Sequence, residues 1–181
     1  MTRVALPDQV RSQTRTGLPL DASALRDVFA RLPGGVSVVT TLDDGTPCGM
    51  TVSAVCSVSV DPPLVLVCVA NESSTLRCLL GHERFAINVL RDRHADLAGD
   101  FARPASDKTG RFRRLPYSLV DDVPVLLDAL AWLTCQVQAT YPGGDHTIVV
   151  GRVHAVAHAA GEPLVWHGRR YWTLSSHLRD S

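Results

Sequence analysis

The sequence predicts a β-rich α+β domain of barrel type, and three observations carry that reading. About seven short runs rich in Val, Ile, Leu and Thr are bounded by Gly, Pro, Asn or Asp, as strands are. Most connections between them are of hairpin length, with two to four short helical patterns interspersed, so an antiparallel sheet closing on itself is favoured. The 181 residues are 45% hydrophobic and 20% charged, enough for one substantial core.

In order, residues 21–32 place Leu25, Val28, Phe29 and Leu32 at helical spacing, with Asp21 or Ser23 as N-cap. Pro33-Gly34-Gly35 ends that helix. VSVVTTL and TPCGMTVSAVCSVSV follow as the two strands of a hairpin across Asp43-Asp44-Gly45. After Asp61-Pro62-Pro63, LVLVCVA reads as a buried strand. Residues 75–83 form a short helix behind Asn71-Glu72-Ser73-Ser74, FAINVL is a strand, and RHADLAGDF is a second short helix. The segment ARPASDKTGRFRRLPYSLVDDVP has no clear period and is longer than an ordinary connector. LAWLTCQVQATY and HTIVVGRVHAVAHA alternate across Pro142-Gly143-Gly144-Asp145 as a long hairpin, and PLVWHGRRYWTL is the last strand. The expected organisation is a leader at 1–20, one domain at 21–176 and a tail at 177–181.

Eighteen basic residues balance eighteen acidic ones, so no global field recruits nucleic acid or anionic lipid. No apolar run approaches the roughly 18–20 residues that cross a bilayer. The polar start lacks a signal peptide's apolar stretch, and a cytoplasmic location is expected. The five cysteines form no CxxC pair and read as free thiols. His154 and His158 lie four apart in a strand-like segment, roughly 13 Å along it, too far to share an ion. No metal site is expected.

The sequence contains no GxGxxG after a strand, no GxxxxGK[ST] and no GxSxG. Three stretches remain. In Gly49–Ala54, Gly49 permits close backbone approach and small hydroxyls interrupt an apolar strand, which suits either a flat polar-edged ligand or a half-solvated hairpin. Asn71-Glu72-Ser73-Ser74-Thr75 opens a helix, so it is either a phosphate site or a simple cap. Asp145-His146 follows a Gly-Gly turn and is either functional or a solvated turn pair.

Taken together, FARLPGGVSVVTT, GMTVSAVCSVSVDPPLVLVCV, NESSTLRCLL, RFAINVL, GDHTIVVGRV and PLVWHGRRYWTL resemble, in that order from Leu25 to Leu174, the short-chain flavin reductases. These are the reductase components of two-component flavin monooxygenases, which fold as FMN-binding split β-barrels with a few short peripheral helices. The resemblance implies a homodimeric NAD(P)H:flavin oxidoreductase. It would bind FMN or FAD, take hydride from NADH or NADPH, and supply reduced flavin by diffusion to a partner monooxygenase. It also places residues. Gly49, Met50, Thr51, Val52, Ser53 and Ala54 would lie along the isoalloxazine and ribityl chain, with Cys68 and Ala70 near the ribityl. Ser73, Ser74 and Thr75 would take the phosphate, and Phe101 would close over the cofactor. His146 would sit where nicotinamide docks, in a docking or polarising role, with Tyr171 near the same mouth.

Two departures from the family pattern stand out: Ser74 where many relatives carry Arg, and a proline in Phe101-Ala102-Arg103-Pro104. The readings that compete are a flavin- or haem-carrying split barrel without turnover, and an F420- or pyridoxamine-type oxidoreductase on a related barrel. DPPL and GDHT weigh against the latter, and the lack of a placed axial ligand pair weighs against haem.

Overall fold

In the computed structural model, which describes residues 21–103, 109–113 and 115–174, the two edges of the main sheet are joined by two residues of chain. The seven-stranded antiparallel sheet runs β3-β2-β6-β9-β10-β5-β4. Its members are β2 (Ser37–Asp43), β3 (Thr46–Val52), β4 (Val55–Val60), β5 (Pro63–Ala70), β6 (Arg84–Val89), β9 (Ala131–Gly143) and β10 (His146–His158). Only Ser53 and Ala54 separate β3 at one edge from β4 at the other. The three Cα steps from Val52 to Val55 reach no further than about 11 Å, so the sheet must curl until its edges come close at this join. Cys68 N–H of β5 donates to Ala54 O at 3.0 Å, which carries the β4–β5 ladder up to the join. The single strand expected over TPCGMTVSAVCSVSV is therefore two, because the chain leaves one edge to begin the other.

The barrel interior is filled from alternate positions. Val39, Val52, Val67, Val69, Phe85, Ile87, Cys135 and Val149 form one buried cluster, closed by Leu76 and Leu79 of helix α2 (Ser74–His82). Burial pushes the Cys135 thiol up to about 12. Strand β2 is buried on both faces. Its outer side meets a second cluster that includes Val36, Val38, Leu90, Phe101, Phe112 and Leu126. Asn88, fully buried in the FAINVL strand, ties three strands together. Its Nδ2 donates to Val38 O and Thr40 Oγ1, both at 3.0 Å, and its Oδ1 accepts from Leu126 N–H at 2.8 Å. A polar residue is stable at this depth because its bonding capacity is used.

The segment without period between Phe101 and the β9–β10 hairpin holds more structure than its sequence announces. It contains α4 (Thr109–Phe112) and a hairpin of β7 (Tyr117–Val120) and β8 (Val123–Leu126). The hairpin turns at Asp121-Asp122, with φ of 51° and 64°. Two positive φ values make a tight turn whose twist suits a hairpin, and aspartate tolerates them better than most side chains. PLVWHGRRYWTL likewise forms two strands, β11 (Val165–His167) and β12 (Arg170–Trp172), which join β1 (Gly34–Gly35) in a small sheet.

Helix α3 (Ala95–Ala102) follows a 3-10 turn at Asp92–His94. The chain divides into two compact units, residues 1–32 and 33–181. In the first, helix α1 (Ala22–Phe29) is capped by Asp21, whose carboxylate accepts from Ser23 N–H at 3.0 Å, and none of the helix's residues is buried. The expected leader 1–20 and tail 177–181 lie outside the described residues. Among the described residues no helix is long and apolar enough to cross a membrane.

Candidate functional site

Strand β3, helix α2 and helix α3 converge on one cavity of about 450 Å³. Gly49 sits mid-strand in β3, opposite Thr40 of β2. A Cβ there would stand 2.7 Å from Val39 O and 3.3 Å from Phe101 Cε1. Only glycine lets the ring of Phe101 and the backbone of β3 come this close. Two residues on, Thr51 Oγ1 donates to Ala98 O at 2.7 Å and fastens α3 across the strand. The small hydroxyl there does structural work.

Ser73 caps α2: its Oγ accepts from Thr75 N–H at 3.1 Å and lies 3.2 Å from Met50 Sδ, a weak acceptor. The cap fixes the helix N-terminus against β3, and Thr75 is buried behind it. The turn before α2 is held from the other side by Asn71. Its N–H donates to Asp145 O at 3.0 Å, its Nδ2 donates to Gly144 O at 3.1 Å, and its Oδ1 accepts from Thr147 Oγ1 at 2.8 Å. Asn71 thereby locks the α2 entry to the β9–β10 turn that carries His146.

His146 pairs with Ala70 in the ladder of β10 and β5. Its Nδ1 lies 2.7 Å from Asp145 Oδ1. An ionised carboxylate only accepts, so Nδ1 carries the proton, and Nε2 is left as the second ring nitrogen. The hydrogen bond from His146, then its charge, holds the exposed Asp145 carboxyl below the usual carboxylate range.

Phe101 is 2% exposed and is no free flap. Phe112 packs edge-on against it, centroids 5.3 Å apart at 87°, and the Arg111 guanidinium lies over the ring at 5.6 Å from its centroid. Arg111 Nη2 also donates to Arg103 O at 2.5 Å.

Of the residues singled out from sequence, Gly49, Met50, Thr51, Ala70, Ser73, Ser74, Thr75 and Phe101 line the cavity. Val52 points into the barrel core, Ser53 and Ala54 form the exposed join between β3 and β4, and Cys68 is half-buried on β5. His146 and Tyr171 stand outside the lining. Tyr171 is half-buried against Trp166, with ring centroids 4.9 Å apart, and burial raises its phenol. Glu72, Ala102 and Arg103, which lay within stretches noted from sequence but carried no site role, and Arg111, which was not noted, complete the wall. Arg111 lies in the aperiodic segment, where no spacing signal exists. Pro104 lies outside the described residues. Among the described residues no group of three or more His, Cys, Asp or Glu is placed to hold a metal ion.

The model of the flavin reductase like domain matches residues 29–175. A probable flavin reductase of Rhizobium meliloti is 40% identical over 155 residues; these cover 84% of this chain, which spans about half (49%) of that longer protein. The reductase component of the 4-nitrophenol 4-monooxygenase/4-nitrocatechol 2-monooxygenase of Rhodococcus opacus is 37% identical over 84% of this chain and 81% of its own length. Among solved structures, the NADH:FAD oxidoreductase SgcE6 of Streptomyces globisporus C-1027, in complex with NAD and FAD fragments, superposes with a TM-score of 0.81 at 33% identity. That match covers 88% of this chain and 96% of the other.

Proposed function

The chain belongs to the flavin reductase like family and is an NAD(P)H-dependent flavin oxidoreductase, and from that premise we propose that its flavin is held in the cavity between β3, α2 and α3. The make-up of that cavity carries the reading. A side-chain-free strand position, a capped helix N-terminus and a buried aromatic face one volume of about 450 Å³, within the range of small-molecule sites. The residues fit a flavin. Gly49 and Phe101 line the cavity together, the missing side chain letting that aromatic ring pack close over β3. Strand β3 is a sheet edge, so its outer backbone groups are outside the β2 ladder and can meet polar ring atoms. The N-terminus of α2 suits a phosphate.

When bound, the flavin supplies the hydride-accepting chemistry, and the protein's part is alignment. Met50 and Thr51 would hold the flavin ring, and backbone N–H groups across Thr51–Ala54 would favour negative charge on it. Cys68 and Ala70 flank the chain that leads to the phosphate at Ser73–Thr75. His146 docks nicotinamide through Nε2, with Nδ1 fixed by Asp145, and Tyr171 borders that approach. NADH or NADPH oxidation by the purified protein, with and without FMN or FAD, tests the reading. Oxidation that depends on added flavin is the expected result, and none with either flavin contradicts it.

The reductase components among the relatives support delivery of reduced flavin to a separate monooxygenase. A homodimer in the cytoplasm completes the reading. On edge strand β4, Val58 is 49% and Val60 93% exposed, an apolar edge that a second copy would cover. Monomeric elution at micromolar concentration in light scattering would count against the dimer.

A further inference from the structure

Resting on the flavin reading of the cavity, we propose that Arg111 selects phosphorylated flavin by meeting the phosphate across the cavity from the N-terminus of α2. Charge is the first reason. A phosphate monoester carries about −1.5 to −2 at neutral pH, whereas a helix N-terminus offers roughly +0.5. Glu72 lines the same cavity and adds negative charge. The cap has already joined Ser73 Oγ to Thr75 N–H, so these two groups serve each other. The triplet alone therefore underserves a dianion, and the balance must come from a cation.

Among the described residues, two cations line the cavity, Arg103 and Arg111. They are not equivalent. The Arg103 side chain is 77% exposed, with Nη1 3.7 Å from Asp100 Oδ1. Arg111 is partly buried and held at two points, over the Phe101 ring and on Arg103 O. Its neighbour Phe112 is 4% exposed and packs against Phe101, so core packing fixes the backbone that carries Arg111. A guanidinium immobilised before binding loses little freedom on meeting an anion, and its planar fork matches phosphate oxygens. Riboflavin has no phosphate, so this contact acts only on FMN and FAD.

The test is a fluorescence titration of wild type, Arg111→Gln and Arg111→Lys with FMN and with riboflavin, at low and high salt. Arg111→Gln is expected to weaken FMN binding roughly 10- to 100-fold, as for a lost charge-assisted hydrogen bond, and to leave riboflavin within about twofold. Arg111→Lys should recover part of the loss. FMN affinity should fall with salt less steeply in Arg111→Gln than in wild type. Arg113→Gln, which removes a cation that lines only the adjoining cavity on the other side of Arg111 and Phe101, should change FMN binding by less than about twofold. Equal losses for FMN and riboflavin would make Arg111 a packing residue and overturn the proposal. So would unchanged FMN affinity, or an Arg113→Gln variant as weak as Arg111→Gln. Wild-type protein that binds neither flavin would overturn the cavity reading itself, and this proposal with it.

Discussion

The ring of Phe101 lies so close over Gly49 that a methyl group on Gly49 would stand 3.3 Å from Cε1. The same methyl would meet Val39 O of the neighbouring strand β2 at 2.7 Å, a backbone atom that cannot swing aside. Gly49→Ala should therefore strain the pairing of β3 with β2 and push α3 away, at a cost of about 1–3 kcal/mol. Urea denaturation reads the stability, and a flavin titration reads the wall the cofactor rests on. Wild-type values in both would mean that β3 shifts freely and does not define the cavity.

Ser73 does two jobs that substitutions can separate. Ser73→Ala removes the cap of α2 and should cost about 0.5–2 kcal/mol in stability, with weaker flavin binding. Ser73→Asp keeps a good capping oxygen but sets a carboxylate beside the phosphate. It should hold near wild-type stability and lose flavin affinity. Flavin affinity retained in Ser73→Asp would move the phosphate away from α2.

His146 should matter to nicotinamide more than to flavin. His146→Ala is expected to raise KM for NADH, and to lower kcat where alignment loosens, with flavin Kd little changed. Stopped-flow reduction of pre-bound flavin separates hydride transfer from cofactor loss. Wild-type kinetics throughout would leave His146 an ordinary turn residue.

Asp128 anchors the 3-10 turn that leads into α3. Its carboxylate accepts from His94 Nε2 at 3.1 Å and from Arg93 Nη2 at 2.6 Å. The hydrogen bond from His94, then that from Arg93 and the nearby positive charge, hold its carboxyl below the usual range. A depressed carboxylate adds stability that is fully present above its unfolded value of about 3.9 and is lost as pH falls through the lower folded value. Unfolding midpoints should therefore drop more steeply with acid in wild type than in Asp128→Asn. Parallel acid limbs would show that the contact contributes nothing.

The β9–β10 hairpin was legible from its alternation and its Gly-Asp turn, although Pro142 and Gly143 of the expected turn pair within β9 and two register shifts interrupt the ladder. Helix α2 was legible because Ser73 precedes an apolar helical run. The split of the Thr46–Val60 segment was not. Ser53-Ala54 carries no breaker, and the chain parts there only because the curled sheet brings its two edges together, which is a tertiary fact. The β7–β8 hairpin hid behind an Asp-Asp turn without glycine. At the site, the glycine, serine and threonine positions announced themselves through small side chains in apolar company. Thr51 misled in one respect, since its hydroxyl is spent on Ala98 O. Arg111 was invisible, because its place depends on Phe112 packing against Phe101 and on no local pattern.

The central claim is that flavin held in this cavity accepts hydride from a nicotinamide nucleotide. Anaerobic stopped-flow mixing of the flavin-loaded protein with NADH or NADPH tests it most directly. The account predicts single-turnover bleaching of the flavin absorbance, at a rate that saturates with nucleotide and falls in His146→Ala. Flavin that binds stoichiometrically yet stays oxidised with both nucleotides would contradict it and leave a carrier in place of an enzyme.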